Sequence, residues 1–361
     1  MSPDSRSRSA VVDLDDSDGL LDADRDGLLR AAAMAGAQAR ATAAALDEGV
    51  LDALRSDLPP RSVSWVAGAG TAATAGALIG AALGASMSAP FVVASEVPPW
   101  IGALDVVIVA GDDSGDPALV TAAVTGLRRG ARVVVVAPEE GPLREAAGGR
   151  AVVLSPRLRV PPEFGLSRYL AAGLATLHVV DPAMHVDVAA LADELDAEAL
   201  RNSAGRELFT NPAKALAERM SGRQVVLAGN APATLVLARH GASALLRVGL
   251  QPVAAVGLSD ALVAIRSGIG RGAMDYEASI FHDEELDGPL PARVRTLVLS
   301  TGEERSALAA RLSGFDDIDV VSADDVPDVT GPAIDGRPEQ QLSVLAVRLE
   351  MAAVYTRLVR G

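Results

Sequence analysis

The sequence predicts an α/β protein with two doubly wound parallel sheets, each in a three-layer αβα arrangement, and with helices at both ends of the chain packed on them. Three observations predict this fold: short runs of β-branched residues, helical segments between those runs, and a repeat of the same order in the second half. Continuous apolar runs indicate strands buried on both faces, as in parallel sheets. A length of 361 residues suffices for two domains of ordinary size.

The beginning of the chain has helical periodicity. Residues 20–57 place apolar and charged positions at helical spacing and predict an N-terminal helical layer, which "DLPPRS" ends. The first half then predicts strands at 62–68, 90–95, 105–111, 132–138 and 151–156, with helices at 71–87, 117–129 and 141–147. The second of these helices has clear end signals: Asp116 as N-cap, Pro117 at its first position and Gly130 just past its end.

The second half repeats the pattern. Helical segments are predicted at 164–179 and 185–204, strands at 224–229, 252–257, 295–300 and 318–323, and an apolar helix at 340–361. We expect four regions: an N-terminal helical segment (1–60), a first α/β domain (61–190), a helical linker (191–220) and a second α/β domain that carries the final helix (221–361).

Composition and charge exclude several classes of function. A net charge of -15 disfavours nucleic-acid binding, since phosphate backbones require clustered lysine and arginine. The absence of cysteine excludes disulfides, thiolate catalysis and cysteine-ligated metals. Lys214 is the only lysine, which restricts the side chains that could act as a catalytic amine.

Two segments bear on the cellular location of the protein. Residues 1–19 lack the apolar stretch of a signal peptide, so we expect a cytoplasmic protein. Residues 62–95 contain no charged residue, but Gly, Ala, Ser and Thr dominate them, whereas a membrane-spanning helix needs a denser run of Leu, Ile and Val. No membrane partner is therefore expected.

The predicted sheet order places a ligand site at three loops. In open α/β sheets the crevice lies outside the carboxyl ends of the strands, and in the first half these ends are "AGAGTAATAG", "ASEVPPW" and "AGDDSGDP". The candidate ligand-binding residues in the first and third of these loops are Gly68, Gly70, Thr71, Thr74, Asp112, Asp113, Ser114 and Gly115.

The third loop has the layout of a phosphate-binding loop, but it is acidic. A helix N-terminus favours a nearby anion by about 0.3–1 kcal/mol. Two unit charges about 5 Å apart repel by roughly 3 kcal/mol at an effective dielectric of about 20. Because Asp112, Asp113 and Asp116 all lie in this loop, repulsion outweighs attraction, and we expect it not to hold a phosphomonoester unless a cation intervenes. Asp116 is expected to cap the helix, whereas Asp112 and Asp113 could hold a sugar hydroxyl, a divalent cation or a partner's amine.

No cofactor or metal is expected. The glycines of "GAGTAATAG" invite a dinucleotide interpretation, but the third glycine falls late and no acidic residue follows the next strand before Glu96. The order Asp-Asp-Ser-Gly-Asp lacks the alternate-position spacing of a calcium loop.

The chain resembles the bifunctional phosphoglucose/phosphomannose isomerases, which have tandem sugar isomerase (SIS) domains. The resemblance lies in "WVAGAGTAATAGALI", "VPPWIGALDVVIVAGDDSGDPALV", "PPEFGLSRYLAAGLATL", "NPAKALAERMSGRQVVLAG" and "ASIFHDEELDG", and covers roughly residues 15 to 360. It implies two SIS domains, a homodimer and a sugar-phosphate ligand. Arg168 matches the family's arginine, without the Gln-Pro that precedes it there.

The active-site motifs of the family are changed here. Its Gly-Met-Gly-Gly-Ser loop keeps Gly68 and Gly70, and its Ser-Tyr-Ser-Gly-Asn-Thr loop keeps only Ser114 and Gly115. The segment with the family's glutamate base reads "RHGASALLRVG", the segment with its ring-opening histidine reads "AVGLSDAL", and its C-terminal lysine has no counterpart.

Two functions follow from the resemblance and these departures. The first is a carbohydrate-derivative-binding protein in which isomerase catalysis is lost or altered. The alternative is an active aldose–ketose isomerase on glucose 6-phosphate and mannose 6-phosphate with relocated acid–base groups. Arg168 would then anchor the substrate, Thr71, Thr74 and Ser114 would bind it, and His240 or Glu277 would move protons. A surface or packing role is the competing interpretation of each histidine.

Overall fold

A computed structural model describes residues 12–181, 183–269, 294–315, 318–325 and 337–360. Two parallel sheets form its centre. The first contains β1 (Val63–Val66), β2 (Phe91–Ala94), β3 (Val106–Ala110), β4 (Arg132–Val136) and β5 (Val152–Val153). The second contains β6 (Gln224–Gly229), β7 (Ala254–Gly257), β8 (Val294–Ser300) and β9 (Ile318–Ser322). All of these strands lie within the predicted ranges or within one residue of them.

Helices surround both sheets. Those before and around the first sheet are α1 (Ser17–Ala23), α2 (Leu28–Ala32), α3 (Ala35–Asp47), α4 (Gly70–Leu83), α5 (Pro117–Arg128), α6 (Gly141–Ala147), α7 (Leu166–Val180), α8 (Val188–Arg201) and α9 (Pro212–Met220). Those of the second half are α10 (Pro232–Arg247), α11 (Leu258–Arg266), α12 (Arg305–Leu312) and α13 (Pro338–Arg360). No helix of the described ranges has the length and apolar content to span a membrane.

The predicted N-terminal helical layer is broken into short helices. The carboxylate of Asp24 accepts hydrogen bonds from the N–H groups of Leu28 and Leu29, at 2.8 and 2.9 Å, and Gly27 has a φ of +66°. These features end one helix and begin the next, because the side chain replaces the helical carbonyl and only glycine adopts this φ without cost. α3 nevertheless packs against α7 and α8, as expected for a helical layer.

Tight packing fixes α4 and α7 on the first sheet. Trp65 of β1 is fully buried, and a Cβ atom at Gly76 would lie 2.3 Å from its ring. A Cβ atom at Gly173 would lie 2.8 Å from the same ring. These two glycines therefore allow both helices to approach the tryptophan, which positions the N-terminus of α4 above the sheet.

The C-terminal helix joins the two halves. α13 packs against α9 and α10 and also against α2, α4 and α8. Its buried Arg348 donates to the carboxylate of Glu198 at 2.7 and 3.2 Å and to the carbonyls of Ser322 and Ala323. The helix is thus fixed both to α8 and to the end of β9.

The only lysine of the chain is buried. The ammonium of Lys214 in α9 donates to the carbonyls of Ala204 and Arg206, at 2.8 and 2.7 Å, and burial lowers the pKa of Lys214. The group therefore holds the turn after α8 and is not available to a ligand.

Candidate functional site

The sheet order creates a crevice between β1 and β3. The first sheet has the order β2-β1-β3-β4-β5, so the connection after β1 leads to one side and that after β3 to the other. Ligands of doubly wound folds bind at such a reversal, outside the carboxyl ends of the strands. Two of the three loops of the predicted site, at 67–69 and 111–116, meet there, and a Cβ atom at Gly68 would lie 3.2 Å from Oδ2 of Asp116.

The first loop leads directly into α4. Gly70 begins this helix with a φ of +69°, which an L side chain rarely adopts. The hydroxyl of Thr71 donates to the carbonyl of Pro162 at 3.1 Å, and that of Thr74 donates to the carbonyl of Gly70 at 3.1 Å. Both threonines therefore retain only acceptor capacity towards a ligand.

The second loop supplies its own anions. Oδ1 of Asp113 accepts the N–H of Gly115 at 2.8 Å, and Oδ1 of Asp116 accepts the N–H of Ala118 at 2.8 Å. The predicted N-cap at Asp116 is confirmed. Amide groups that a phosphate could use at this helix N-terminus are thus already hydrogen-bonded to carboxylates of the chain.

Arg168 is paired with the acidic loop through Nη2, while its buried Nε has no hydrogen-bond partner among the described residues. Its Nη2 donates to Oδ1 of Asp112 and to the hydroxyl of Tyr169, the latter at 2.6 Å, and its guanidinium lies 4.4 Å from the centre of the Tyr169 ring. The side chains of Arg168 and Asp112 are 16% and 36% exposed. Burial raises the pKa of Tyr169 far above its usual range, so this hydroxyl stays neutral.

The charge balance of the crevice remains negative when it is counted over the described residues. Arg168 is the cation that could have offset the acidic loop, but it neutralises Asp112 alone. Asp113 and Asp116 are left without a cationic partner among the described residues. An arriving phosphate would meet their repulsion and would also have to displace Asp112 from Arg168.

His240 lies at a different cavity. It is on α10, and its Nε2 is 2.9 Å from Oε1 of Glu350 on α13, with side chains 4% and 2% exposed. A cavity of about 140 Å³ separates α10 from the start of α4. Its lining consists of Gly70, Thr71, Thr74, Glu163, His240, Ser243, Ala244 and Arg247.

The predicted site residues therefore fall into two groups. Gly70, Thr71, Thr74 and His240 share the cavity between α4 and α10, whereas Asp112, Ser114 and Arg168 are not part of its lining. Glu277, the other candidate proton-transfer group, lies outside the described residues, as does the neighbouring His282.

The second sheet has a comparable reversal between β6 and β8, in the order β7-β6-β8-β9. There Oε2 of Glu304 accepts the N–H and the hydroxyl of Thr301, at 3.1 and 3.2 Å. The amide oxygen of Gln341, on α13, accepts the N–H of Gly302 at 2.8 Å. Side chains of the protein also occupy this second set of loop N–H groups.

These features define the class of fold as two doubly wound parallel-sheet domains in tandem, with helices packed at both ends. Solved structures share this fold over nearly the whole chain. A candidate phosphosugar isomerase from Clostridium difficile 630 has a TM-score of 0.61 at 12% identity, over 92% of this chain and 93% of that one.

Two further neighbours have the same architecture. Tagatose-6-phosphate ketose/aldose isomerase from Escherichia coli has a TM-score of 0.59 at 15% identity, over 93% of this chain and 91% of that one. A glucose-6-phosphate isomerase-like protein from Thermus thermophilus has a TM-score of 0.50 at 20% identity, over 97% of this chain and 94% of that one. Identities this low establish the fold alone. No protein-family model matches the chain, and no curated protein matches its sequence.

Three important side chains were missed by the sequence analysis: Glu198, Gln341 and Glu350. The sequence contains a signal for Glu350, because "VRLEM" places Arg348 and Glu350 in the middle of an apolar helix. Charged residues in such a position require buried partners. The identity of those partners depends on the tertiary fold.

Proposed function

We propose that this protein binds a carbohydrate derivative at its SIS-type crevice and does not isomerise sugar phosphates in the manner of the family it resembles. The observation that carries this proposal is that carboxylates of the protein already use the groups with which this loop could bind a phosphate. Asp112 pairs with Arg168, while Asp113 and Asp116 accept hydrogen bonds from N–H groups at the loop and the start of α5. The ligand is accordingly uncharged or cationic at this loop. Asp112 and Asp113 are the side chains that would bind its hydroxyl or amino groups.

The absence of the expected catalytic groups supports the proposal. The sequence positions that hold the base, the ring-opening acid and the lysine in the resembling family have other residue types here. Enediol chemistry requires a base near C1 and C2 and a cation for the developing charge. Arg168, the only matched cation, is already engaged by Asp112.

The proposal is tested by thermal unfolding with glucose 6-phosphate, mannose 6-phosphate and fructose 6-phosphate, and separately with the unphosphorylated sugars, alongside a coupled isomerase assay. We expect no stabilisation or turnover with the phosphates, and stabilisation by at least one uncharged sugar. A ligand at 100 times its dissociation constant adds about 2.7 kcal/mol to the free energy of unfolding. Stabilisation by a sugar phosphate without turnover would contradict the argument about the acidic loop.

A second candidate function is aldose–ketose isomerisation of glucose 6-phosphate or mannose 6-phosphate. The observation in its favour is the contact between His240 and Glu350 beside Thr71 and Thr74, since a carboxylate that orients an imidazole is a recurrent acid–base arrangement. Turnover that is lost in His240→Gln would establish this function. In this second function Arg168 is released from Asp112 and anchors the phosphate. Ser114 binds the substrate, and Glu277 is the other candidate for proton transfer.

The resemblance also leads us to propose a cytoplasmic homodimer. Sedimentation equilibrium of the purified chain tests the oligomeric state, and a monomer over the accessible concentration range would refute the dimer.

A further inference from the structure

The cavity between α4 and α10 is built by both halves of the chain. Gly70, Thr71 and Thr74 come from the start of α4, and His240 and Ser243 come from α10. Its volume of about 140 Å³ equals that of about five water molecules in the liquid. A small polyol or one edge of a sugar ring fits such a space.

A buried polar side chain lines this cavity. His240 is 4% exposed, and its Nε2 is bonded to Glu350 at 2.9 Å. Because a carboxylate can only accept, Nε2 carries a proton, and Nδ1 is an acceptor whenever the imidazole is neutral. None of the described residues hydrogen-bonds Nδ1, so this atom is left for a ligand.

The side chains that line the cavity have mainly hydrogen-bond acceptors left, so they favour ligands that donate hydrogen bonds. Thr71 and Thr74 have given their hydroxyl protons to the carbonyls of Pro162 and Gly70. Together with Nδ1 of a neutral His240 imidazole they offer acceptors, and Ser243 can do either. A molecule with several hydroxyl groups satisfies such a lining, because each hydroxyl brings a proton to donate.

The charges of the lining select an uncharged ligand. Arg247 is paired with Glu163 at 2.7 Å, and His240 with Glu350 at 2.9 Å. In either protonation state of His240 these four groups carry no surplus of positive charge. A phosphate therefore gains no net attraction, in contrast to a site with a free arginine.

We propose that the cavity between α4 and α10 is a binding site for an uncharged, hydroxyl-bearing ligand, with His240 as its polar anchor and Glu350 as the residue that orients His240. This inference rests on the proposed function, because it gives the carbohydrate-binding protein a second site, distinct from the one at Asp112 and Asp113, and names the ligand class of that site.

The test is a titration of the full chain, labelled at histidine Cε1, with erythritol, D-glucose and D-mannose, followed by NMR. The chain has four histidines, and His240→Gln identifies the His240 signal by its loss. We expect a saturable shift of this signal with at least one polyol. Thr74→Val should weaken binding about fivefold to tenfold through the lost acceptor, and Ser243→Leu should abolish it by filling the cavity.

Ser221→Leu is the matched control, since it introduces the same side chain at an exposed position after α9. It should bind like the wild type. If sugars stabilise the wild type and every variant equally while the His240 signal does not move, the cavity is not the site and only this inference fails. If no sugar stabilises the wild type, this inference and the proposed function fail together.

Discussion

Each sheet has one point at which the strand order reverses, between β1 and β3 in the first sheet and between β6 and β8 in the second. Side chains of the protein bind the loop groups at these two reversals in different ways. At the first, Asp112 holds Arg168 at a partly exposed position, and the loop carboxylates accept nearby N–H groups. At the second, Gln341 reaches in from α13 and accepts the N–H of Gly302. The first closure joins the loop to α7, whereas the second joins it to α13, which also packs against the first half. Asp112→Ser should therefore free Arg168 at the first reversal, whereas the second reversal is tied to side chains of Glu304 and of Gln341 on α13.

The largest expected effect concerns the attachment of α13. Arg348→Met leaves Glu198 buried without its main cation, and the free energy of unfolding should fall by about 3–5 kcal/mol. Urea denaturation measures this loss. Arg357→Met is the control on the same helix, because it removes only the exposed contact with Asp26 and should cost less than about 1 kcal/mol. Equal losses in the two variants would show that the buried pair does not anchor α13.

The same pair predicts a pH dependence. Burial by itself would raise the pKa of Glu198, but Arg348 and Arg201 outweigh it and hold the pKa below the usual value of 4.5. A carboxyl group with a lowered pKa stabilises the fold above its unfolded pKa, and this stability is lost as the pH falls through the folded pKa. The difference in stability between the wild type and Arg348→Met should therefore narrow below pH 4.5. A constant difference in denaturation experiments would contradict this origin.

The next effect tests whether one ion pair closes the first reversal. Asp112→Ser frees Arg168 and removes one repulsive charge, which is worth roughly 3 kcal/mol at about 5 Å and an effective dielectric of about 20. Solvent screening at this partly exposed site reduces that figure, and we expect about a tenfold gain in affinity for inorganic phosphate or glucose 6-phosphate.

Isothermal titration calorimetry measures this gain. Asp57→Ser makes the same change of charge at an exposed position away from the loop and should leave phosphate binding as in the wild type. A similar gain in both variants would mean that net charge, rather than release of Arg168, controls the affinity.

A smaller effect is expected for the helix cap of the first reversal. Asp116→Ala leaves the N–H of Ala118 without its carboxylate and should lower the free energy of unfolding by about 1 kcal/mol. Chemical denaturation is the measurement, with Asp22→Ala at an exposed position of α1 as the control. No difference between the two variants would indicate that water replaces the cap without cost.

The smallest effect concerns the contact between the two loops. In Gly68→Ala the new Cβ atom would lie 3.2 Å from Oδ2 of Asp116, so the carboxylate must shift slightly. We expect a loss below about 1 kcal/mol, which disappears in the Asp116→Ala background. A double-mutant cycle measures the coupling. Additive losses would show that the loops do not interact at this point.

The fold could be predicted from the sequence because its signals are local. The apolar run before Asp112 and the cap at Asp116 lie within a few residues of each other, and each specifies a strand or a helix end without reference to the rest of the chain. The N-terminal layer was less well predicted. Its apolar spacing continues across Gly27, whereas the Asp24 cap divides the helix there.

The arrangement of the candidate site could not be predicted in the same way. Asp112 and Arg168 are 56 positions apart, and His240 and Glu350 are 110 positions apart. No periodicity connects such residues, because their contact depends on how α7 and α13 pack. The acidic loop was therefore visible in the sequence, but the neutralisation of Asp112 by Arg168 was not.

The burial of Lys214 gives the protein a built-in reporter of unfolding. Its ammonium is fully enclosed and donates to two backbone carbonyls. Acylating reagents react with uncharged amines in contact with solvent, and the chain has no other lysine side chain. Modification of Lys214, located by peptide mapping so that the α-amine is counted separately, should thus report the molecules in which the α9 region has opened, without an introduced probe.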